Sequence, residues 1–308
     1  MTAPQANGPR VTVVVPSLNR EEHIREALDS ILSQDYTDIE CIVADGGSTD
    51  GTLDALRTYG DRIRWDSGPD GGPFNGINRS WQSSSGEILA WLNADDAWVP
   101  GTVSRAVVYL NEHPGIDVVY GQCRWIDGAS RPRWVSPAVP WDLTAAVLYC
   151  DSFIHQPTAF LRREVAERVG WLHSSWFHDQ DLWLRIALAG GRFGTMDEVQ
   201  AEARIHRGKG GQDPILVEAA KVSMVDRWFK DLPLPGPLVS QRTRALSNAR
   251  ARALDSLWPT LPSNWAIGFR ILGRAISTDP KNAPAVVGHV CRLVGRFVAR
   301  MVVPSPLN

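Results

Sequence analysis

The run Val11-Thr-Val-Val-Val15, closed by Pro16, constrains this chain more than any other segment. Five consecutive β-branched residues describe a strand buried on both faces, the kind found where helices cover both sides of a parallel sheet. The next hundred residues repeat that theme. Ile24, Leu28, Ile31 and Leu32 recur at helical intervals and predict a helix over about 21–34. A second strand is expected at 39–44, a helix at 52–59 and a short third strand at 63–65. A further helix should run to about 84, a fourth strand over 87–92, a helix after Pro100-Gly101 and a fifth strand at 118–120.

Strand and helix alternate throughout this stretch, which predicts an α/β fold with a mostly parallel sheet and helices on both faces. Polar, glycine-rich or acidic loops fall where the strands end, and open α/β sheets bind ligands at that edge. From about 122 to 160 the pattern weakens, interrupted by Pro132, Pro137, Pro140 and Pro157. A helix returns at roughly 180–189. Beyond Gly211 helix formers punctuated by prolines predict a separate helical extension. The expected organisation is a flexible 1–10, an α/β domain over 11–210 with its halves at 11–121 and 122–210, and a helical 211–308.

Bulk properties narrow the function classes. A chain of 308 residues with 44% hydrophobic and 21% charged residues can bury a sizeable core. A net charge of −2 gives no electrostatic ground for a nucleic-acid partner. Cys41, Cys123, Cys150 and Cys291 are widely spread without a C-x-x-C pair, so neither a disulfide framework nor a zinc site is expected, and a reduced cytoplasmic compartment is. The first ten residues hold no apolar run, and no stretch reaches the roughly eighteen apolar residues that cross a bilayer. The sequence also carries 13 tryptophans. Aromatic faces suit the C–H faces of pyranose rings, although most of these side chains are expected in the core.

The acidic loops carry the chemistry. Asp95-Asp96 follows an apolar strand, and two adjacent carboxylates there repel unless a cation or hydrogen-bond donors compensate them. A divalent ion takes hard oxygen ligands of this kind together with phosphate oxygens. The other explanation is that one aspartate caps the next helix. Asp45, in a different strand-end loop, can accept hydrogen bonds from a base or ribose, and its glycine neighbours let backbone approach a ligand. Asp50 reads as the cap of the following helix. Neither a G-x-G-x-x-G nor a G-x-x-x-x-G-K-[ST] loop is present, which disfavours ordinary dinucleotide and P-loop sites.

Val11–Asn19 (VTVVVPSLN), Ile42–Thr52 (IVADGGSTDGT), Gly86–Asp96 (GEILAWLNADD) and His178–Arg185 (HDQDLWLR) together resemble the family 2 glycosyltransferases, specifically bacterial non-processive members. The resemblance covers about residues 10–210. It implies a GT-A fold, with 11–121 as nucleotide-binding half and 122–210 as acceptor half, and inverting transfer from a nucleoside-diphosphate sugar (UDP, dTDP or GDP) to a carbohydrate or lipid-linked hydroxyl acceptor. It implies donor contacts at Pro16, Ser17, Asn19, Asp45, Asp70 and Asp95. It further implies Mn²⁺ or Mg²⁺ held by Asp96 with Asp95, and His206 in the place of a histidine near metal or diphosphate; a structural role for His206 is the alternative. Asp179 matches the catalytic base, with His178 standing where the family usually has Glu. Asp181 is the rival base, and helix capping the remaining explanation.

Two other classes compete: a non-catalytic nucleotide- or sugar-binding module, and a sugar nucleotidyltransferase. Retention of Asp95, Asp96 and Asp179 speaks against the first. Absence of a G-x-G-[ST]-R-x-x-P loop after the first strand speaks against the second. At the C-terminus Arg292, Arg296 and Arg300 share one helical face, opposite Val286, Val290, Leu293, Val294, Phe297 and Met301. Such a helix over 283–303 either packs its apolar stripe on the protein or lies on the inner face of a membrane.

Overall fold

In a computed structural model of the chain, residues 8–150, 153–173, 177–205, 214–254 and 265–302 are described. In chain order the elements are β1 Val11–Ser17, α1 Ile24–Leu32, β2 Ile39–Asp45, α2 Thr52–Arg57, β3 Arg64–Ser67, α3 Pro73–Gln82 and β4 Ile88–Trp91. There follow β5 Ala97–Trp98, α4 Thr102–Glu112, β6 Val118–Ile126, β7 Pro132–Ser136, α5 Leu143–Tyr149, β8 Phe160–Arg162, α6 Arg163–Val169, α7 His178–Leu188 and β9 Phe193–Arg204. The chain closes with α8 Pro214–Asp231, α9 Gly236–Val239, α10 Arg242–Arg252, α11 Trp265–Thr278 and α12 Ala283–Val302.

The alternation read from the sequence builds the first half of the sheet. β1 pairs in parallel with β2 and β4, and β2 with β3. Pro16 is tolerated in this central strand because Val14 and Pro16 point their backbone groups towards β4, whose last residue, Trp91, lies opposite Val14. The second half is mixed: β8 lies antiparallel between β4 and β6, β9 runs parallel to β6, and β5 closes on β9 antiparallel. β7 pairs with β6 as a hairpin outside the main order β3-β2-β1-β4-β8-β6-β9-β5. Strand direction there is set by connections, which local residue patterning does not encode.

Helices cover both faces. Val13, Val15, Ile88, Ala90 and Val119 face a layer that includes Ile24, Leu28, Ile31 and Val103. Val14, Leu89, Trp91, Val118, Tyr120 and Leu161 face Ile77, Trp81, Leu182, Trp183 and Ile186. The tryptophans of this second layer serve packing, as Trp81–Trp91 edge to face and Trp91–Trp183 stacked.

The chain divides into two compact units. One comprises Met1–Trp141, Ser152–Ser174 and Asp181–His206; the other comprises Asp142–Asp151, Ser175–Gln180 and Arg207–Asn308. The second unit is helical, with Val217, Ala253, Leu254 and Ile271 at its centre. Asn248 ties α10 to α5 through the Leu148 carbonyl at 2.7 Å. Glu218 is buried there between Arg250, at 3.2 Å, and Arg274. Val286 is buried, and Val290 and Leu293 pack on the same unit, so the apolar stripe of α12 turns inward as far as Leu293. The side chains of Val294, Phe297, Met301, Arg296 and Arg300 lie outside the described residues. No described helix is long and apolar enough to cross a membrane. Cys41, Cys123, Cys150 and Cys291 are thiols, none of them in a disulfide.

Candidate active site

Four loops leave the C-terminal ends of β1, β2, β3 and β4, and hydrogen bonds tie the first three together. Asn19 adopts a left-handed backbone with φ 52°, a conformation its short polar side chain tolerates. Its N–H donates to Ser48 Oγ at 2.7 Å, while its Oδ1 accepts from the Thr49 N–H at 2.8 Å. The Arg20 N–H reaches Thr52 Oγ1 at 2.8 Å and the Glu21 N–H reaches Asp50 at 3.2 Å. Asp50 also accepts from the Thr52 N–H at 3.0 Å, although the N-cap of α2 is Gly51, one residue beyond the aspartate expected there. Burial pushes the Asp50 carboxyl up, but hydrogen bonds from Thr52 and Glu21 outweigh it and hold its pKa below the ordinary value.

Asp45 sits at the centre of this arrangement and is fully buried. Its carboxylate accepts from Gly47 N–H at 3.0 Å, Ser48 N–H at 2.8 Å, Ser48 Oγ at 2.5 Å and Ser67 Oγ at 2.6 Å. These donors occupy both oxygens, so in this conformation Asp45 shapes its turn from within. Asp70 is the more accessible carboxylate beside the same turn: a side chain added at Gly46 would meet its Oδ1 at 3.5 Å, and one at Gly76 its Oδ2 at 3.0 Å. Asp70 is half-buried and accepts from the Gly72 N–H at 2.8 Å. The Ser17 carbonyl accepts from the Gly46 N–H at 2.8 Å, and the buried Ser17 hydroxyl has no hydrogen-bond partner among the described residues. An orphaned hydroxyl beside these loops fits a site that a bound group completes.

The fourth loop holds Asp95-Asp96, both nearly inaccessible at 4% and 2%. Asp96 accepts from Asn93 Nδ2 at 3.0 Å and from the Arg204 N–H at 2.9 Å. Arg204, itself buried, donates through Nε to the Asp95 carbonyl at 3.1 Å and through Nη2 to Glu26 at 2.5 Å. Its Nη1 reaches the Asp127 carbonyl at 3.1 Å and Ser130 Oγ at 2.9 Å. Arg20 Nε stands 3.9 Å from Asp95 Oδ2. Asp127 anchors the turn after β6: hydrogen bonds from Arg131, first through its backbone N–H, draw its pKa to about 2.

Asp95 and Asp96 thus present two adjacent hard oxygen donors, the number a Mg²⁺ or Mn²⁺ site commonly takes from protein. Among the described residues no group of three or more His, Cys, Asp or Glu side chains could hold a metal, so ligand oxygens would have to complete the shell. His206 lies outside the described residues.

α7 separates its two aspartates. Asp181 is buried and accepts from Arg185 Nε at 2.9 Å, with His173 Nδ1 at 3.1 Å. Arg185 in turn donates to the carbonyls of Val169, Gly170 and Trp171. Asp181 therefore pins the chain ahead of α7. Asp179, two residues earlier, is half-exposed and has no hydrogen-bond partner among the described residues.

Local patterning does not mark Arg20, Ser48, Ser67 or Asn93, which the fold brings to these loops. For Arg204 the available signal is a charged residue ending the run Gln200-Ala-Glu-Ala-Arg204 inside a strand.

Comparison with known proteins bears on the family and the fold. The family model "Glycosyl transferase family 2" matches residues 12–170. An uncharacterized glycosyltransferase of Rickettsia typhi is 30% identical over 207 residues, covering 64% of each chain. A PGL/p-HBAD biosynthesis glycosyltransferase of Mycobacterium bovis is 34% identical over 167 residues, covering 53% of this chain and 62% of that one. The matched stretch thus spans less than two thirds of these relatives' length. Among solved structures, S. aureus TarS 1–349 in complex with UDP-GlcNAc superimposes with a TM-score of 0.63 at 19% identity, over 90% of this chain and 83% of that one. The mannosyltransferase PcManGT from Pyrobaculum calidifontis, in complex with GDP-Man and Mn²⁺, gives 0.61 at 22% identity, over 96% and 88%. These structures share the GT-A fold with this chain.

Proposed function

This chain belongs to glycosyl transferase family 2, and we propose that it is a glycosyltransferase that moves a sugar from a nucleoside diphosphate onto an acceptor hydroxyl with inversion, assisted by Mn²⁺ or Mg²⁺. The acidic turn carries this assignment: Asp96 is oriented by Asn93 and the Arg204 N–H, and Asp95 by the fixed loop around it. Asp95 and Asp96 would hold the cation, which when bound neutralises charge on the departing diphosphate. Asp70, Asn19 and Ser17 line the edge where the nucleoside would lie, with Asp45 bracing the turn behind them.

The acceptor hydroxyl loses its proton as it attacks. Asp179 is the residue to take it, because Asp181 is committed to Arg185 while the Asp179 carboxylate has no described partner to compete. As the bond from acceptor oxygen to the anomeric carbon forms, the bond to the diphosphate oxygen breaks, and the proton passes to Asp179. Such general-base assistance contributes roughly 10²–10⁴-fold. A single displacement assisted by one base inverts the anomeric centre. The ligands of the two structural neighbours, UDP-GlcNAc and GDP-Man with Mn²⁺, support a nucleotide-sugar donor and a divalent ion.

The test is product analysis with UDP-, GDP- and dTDP-sugars, Mn²⁺ and a panel of glycoside acceptors. Release of nucleoside diphosphate together with a glycoside of inverted anomeric configuration is expected. Pyrophosphate release would instead identify a nucleotidyltransferase, and a retained configuration would remove the single-displacement mechanism.

A further inference from the structure

The β6–β7 hairpin presents an aromatic surface that donor chemistry does not use. Trp125 and Trp134 are direct cross-strand partners, stacked at 5.7 Å between centroids and 22° between planes. The indole N–H of Trp125 donates to Ser136 Oγ at 2.9 Å, which fixes the ring, and His155 meets it edge-on at 5.9 Å and 90°. Trp81, Trp91, Trp98 and Trp183 of this unit are buried between helix and sheet, whereas Trp134 is 38% exposed. A large, oriented aromatic side chain exposed on a hairpin does little for the core.

Two bridges tie this surface to the acidic turn. Gln156, next to His155, receives the Asn93 amide at 3.1 Å, and that same amide group donates to Asp96 at 3.0 Å. Arg204 bonds Asp96 through its backbone N–H and, through its guanidinium, the carbonyl of Asp127, two residues beyond Trp125. The hairpin is thereby held in register with the residues assigned to the diphosphate end of the donor.

We propose that Trp134, stacked on Trp125, is a platform for a pyranose ring of the acceptor. This rests on the glycosyltransferase assignment, which requires a hydroxyl acceptor beside the acidic turn. The chemistry selects a sugar: an exposed, oriented aromatic face matches the axial C–H face of a pyranose.

The experiment is saturation-transfer NMR on the full chain with methyl glucopyranoside, galactopyranoside, mannopyranoside and N-acetylglucosaminide, in the wild type and in Trp134→Phe and Trp134→Leu. Phenylalanine keeps a flat face, leucine keeps only apolar bulk, and UDP or GDP stabilisation of each variant monitors the donor side. At least one glycoside should show transfer to its ring C–H protons in the wild type. That signal should persist in Trp134→Phe and weaken by roughly five- to tenfold in Trp134→Leu, the scale of one aromatic stacking contact. Equal signals in Trp134→Leu, or no signal from any of the four glycosides while a nucleotide still stabilises the protein, would overturn the platform. Absence of nucleotide stabilisation in the wild type itself would instead strike the glycosyltransferase mechanism.

Discussion

The two acidic turns of this molecule are built in opposite ways. The turn at Asp45 is satisfied from close by: three of the four hydrogen bonds to its carboxylate come from Gly47 and Ser48, and the fourth from Ser67 on the neighbouring strand. The turn at Asp95-Asp96 is held from far away, by Arg204 more than a hundred residues later, whose guanidinium also gathers Glu26, Asp127 and Ser130. The local turn fixes its own shape. The remote one makes the Asp95 and Asp96 carboxylates depend on the second half of the sheet.

Breaking the remote brace should cost most. Arg204→Leu leaves Glu26 and the Asp127 carbonyl without their buried cation, a loss of about 3–5 kcal/mol. Tm should fall on the order of 10 °C, with transfer activity lost alongside. A change confined to activity, with Tm intact, would show that Arg204 does not brace the turn. Next comes the contrast inside α7. Asp181→Asn strips the buried Arg185 of its charge partner and should destabilise by about 3 kcal/mol. Asp179→Asn should leave Tm nearly unchanged, within about 0.5 kcal/mol, yet lower kcat by roughly 10²–10⁴-fold. Thermal melts with steady-state kinetics on both variants would sharpen or reverse the assignment.

A smaller effect is expected on the local side. In Gly76→Ala the new methyl would lie 2.9 Å from the Ala44 Cβ and 3.0 Å from Asp70 Oδ2. It must push α3 off β2, at a cost of roughly 1–3 kcal/mol, and move Asp70 with it. Nucleotide affinity measured by calorimetry should weaken while metal affinity does not. Equal nucleotide affinity would mean that Asp70 does not face the donor.

The same contrast governs what the sequence discloses. β1 to β4 and the helices between them follow from β-branched runs and helical spacing, and the strand-end loops that carry Asn19, Asp45, Asp70 and Asp95-Asp96 follow from them. β5 has two residues and β8 three, too few for any pattern. β9 has twelve, but its pairing with β6 shifts register twice, and Gly194, Glu198 and Gln200 blur its alternation. Arg204 is hidden for the same reason, since its partners are assembled only by the sheet. The Asp181–Arg185 tie is legible as a pair four apart on a helix. The sealing of Asp45 by its own turn is not, because it depends on Ser67 arriving from β3.

The central claim is that Asp95-Asp96 joins a divalent cation to the diphosphate of the donor. Thermal melts with UDP, GDP and dTDP, each with and without Mn²⁺, test it most directly when run on the wild type and on Asp96→Asn. One nucleotide should raise the wild-type Tm only when Mn²⁺ is present, and Asp96→Asn should abolish that rise. An equal rise without metal, or a rise that survives Asp96→Asn, would contradict the account.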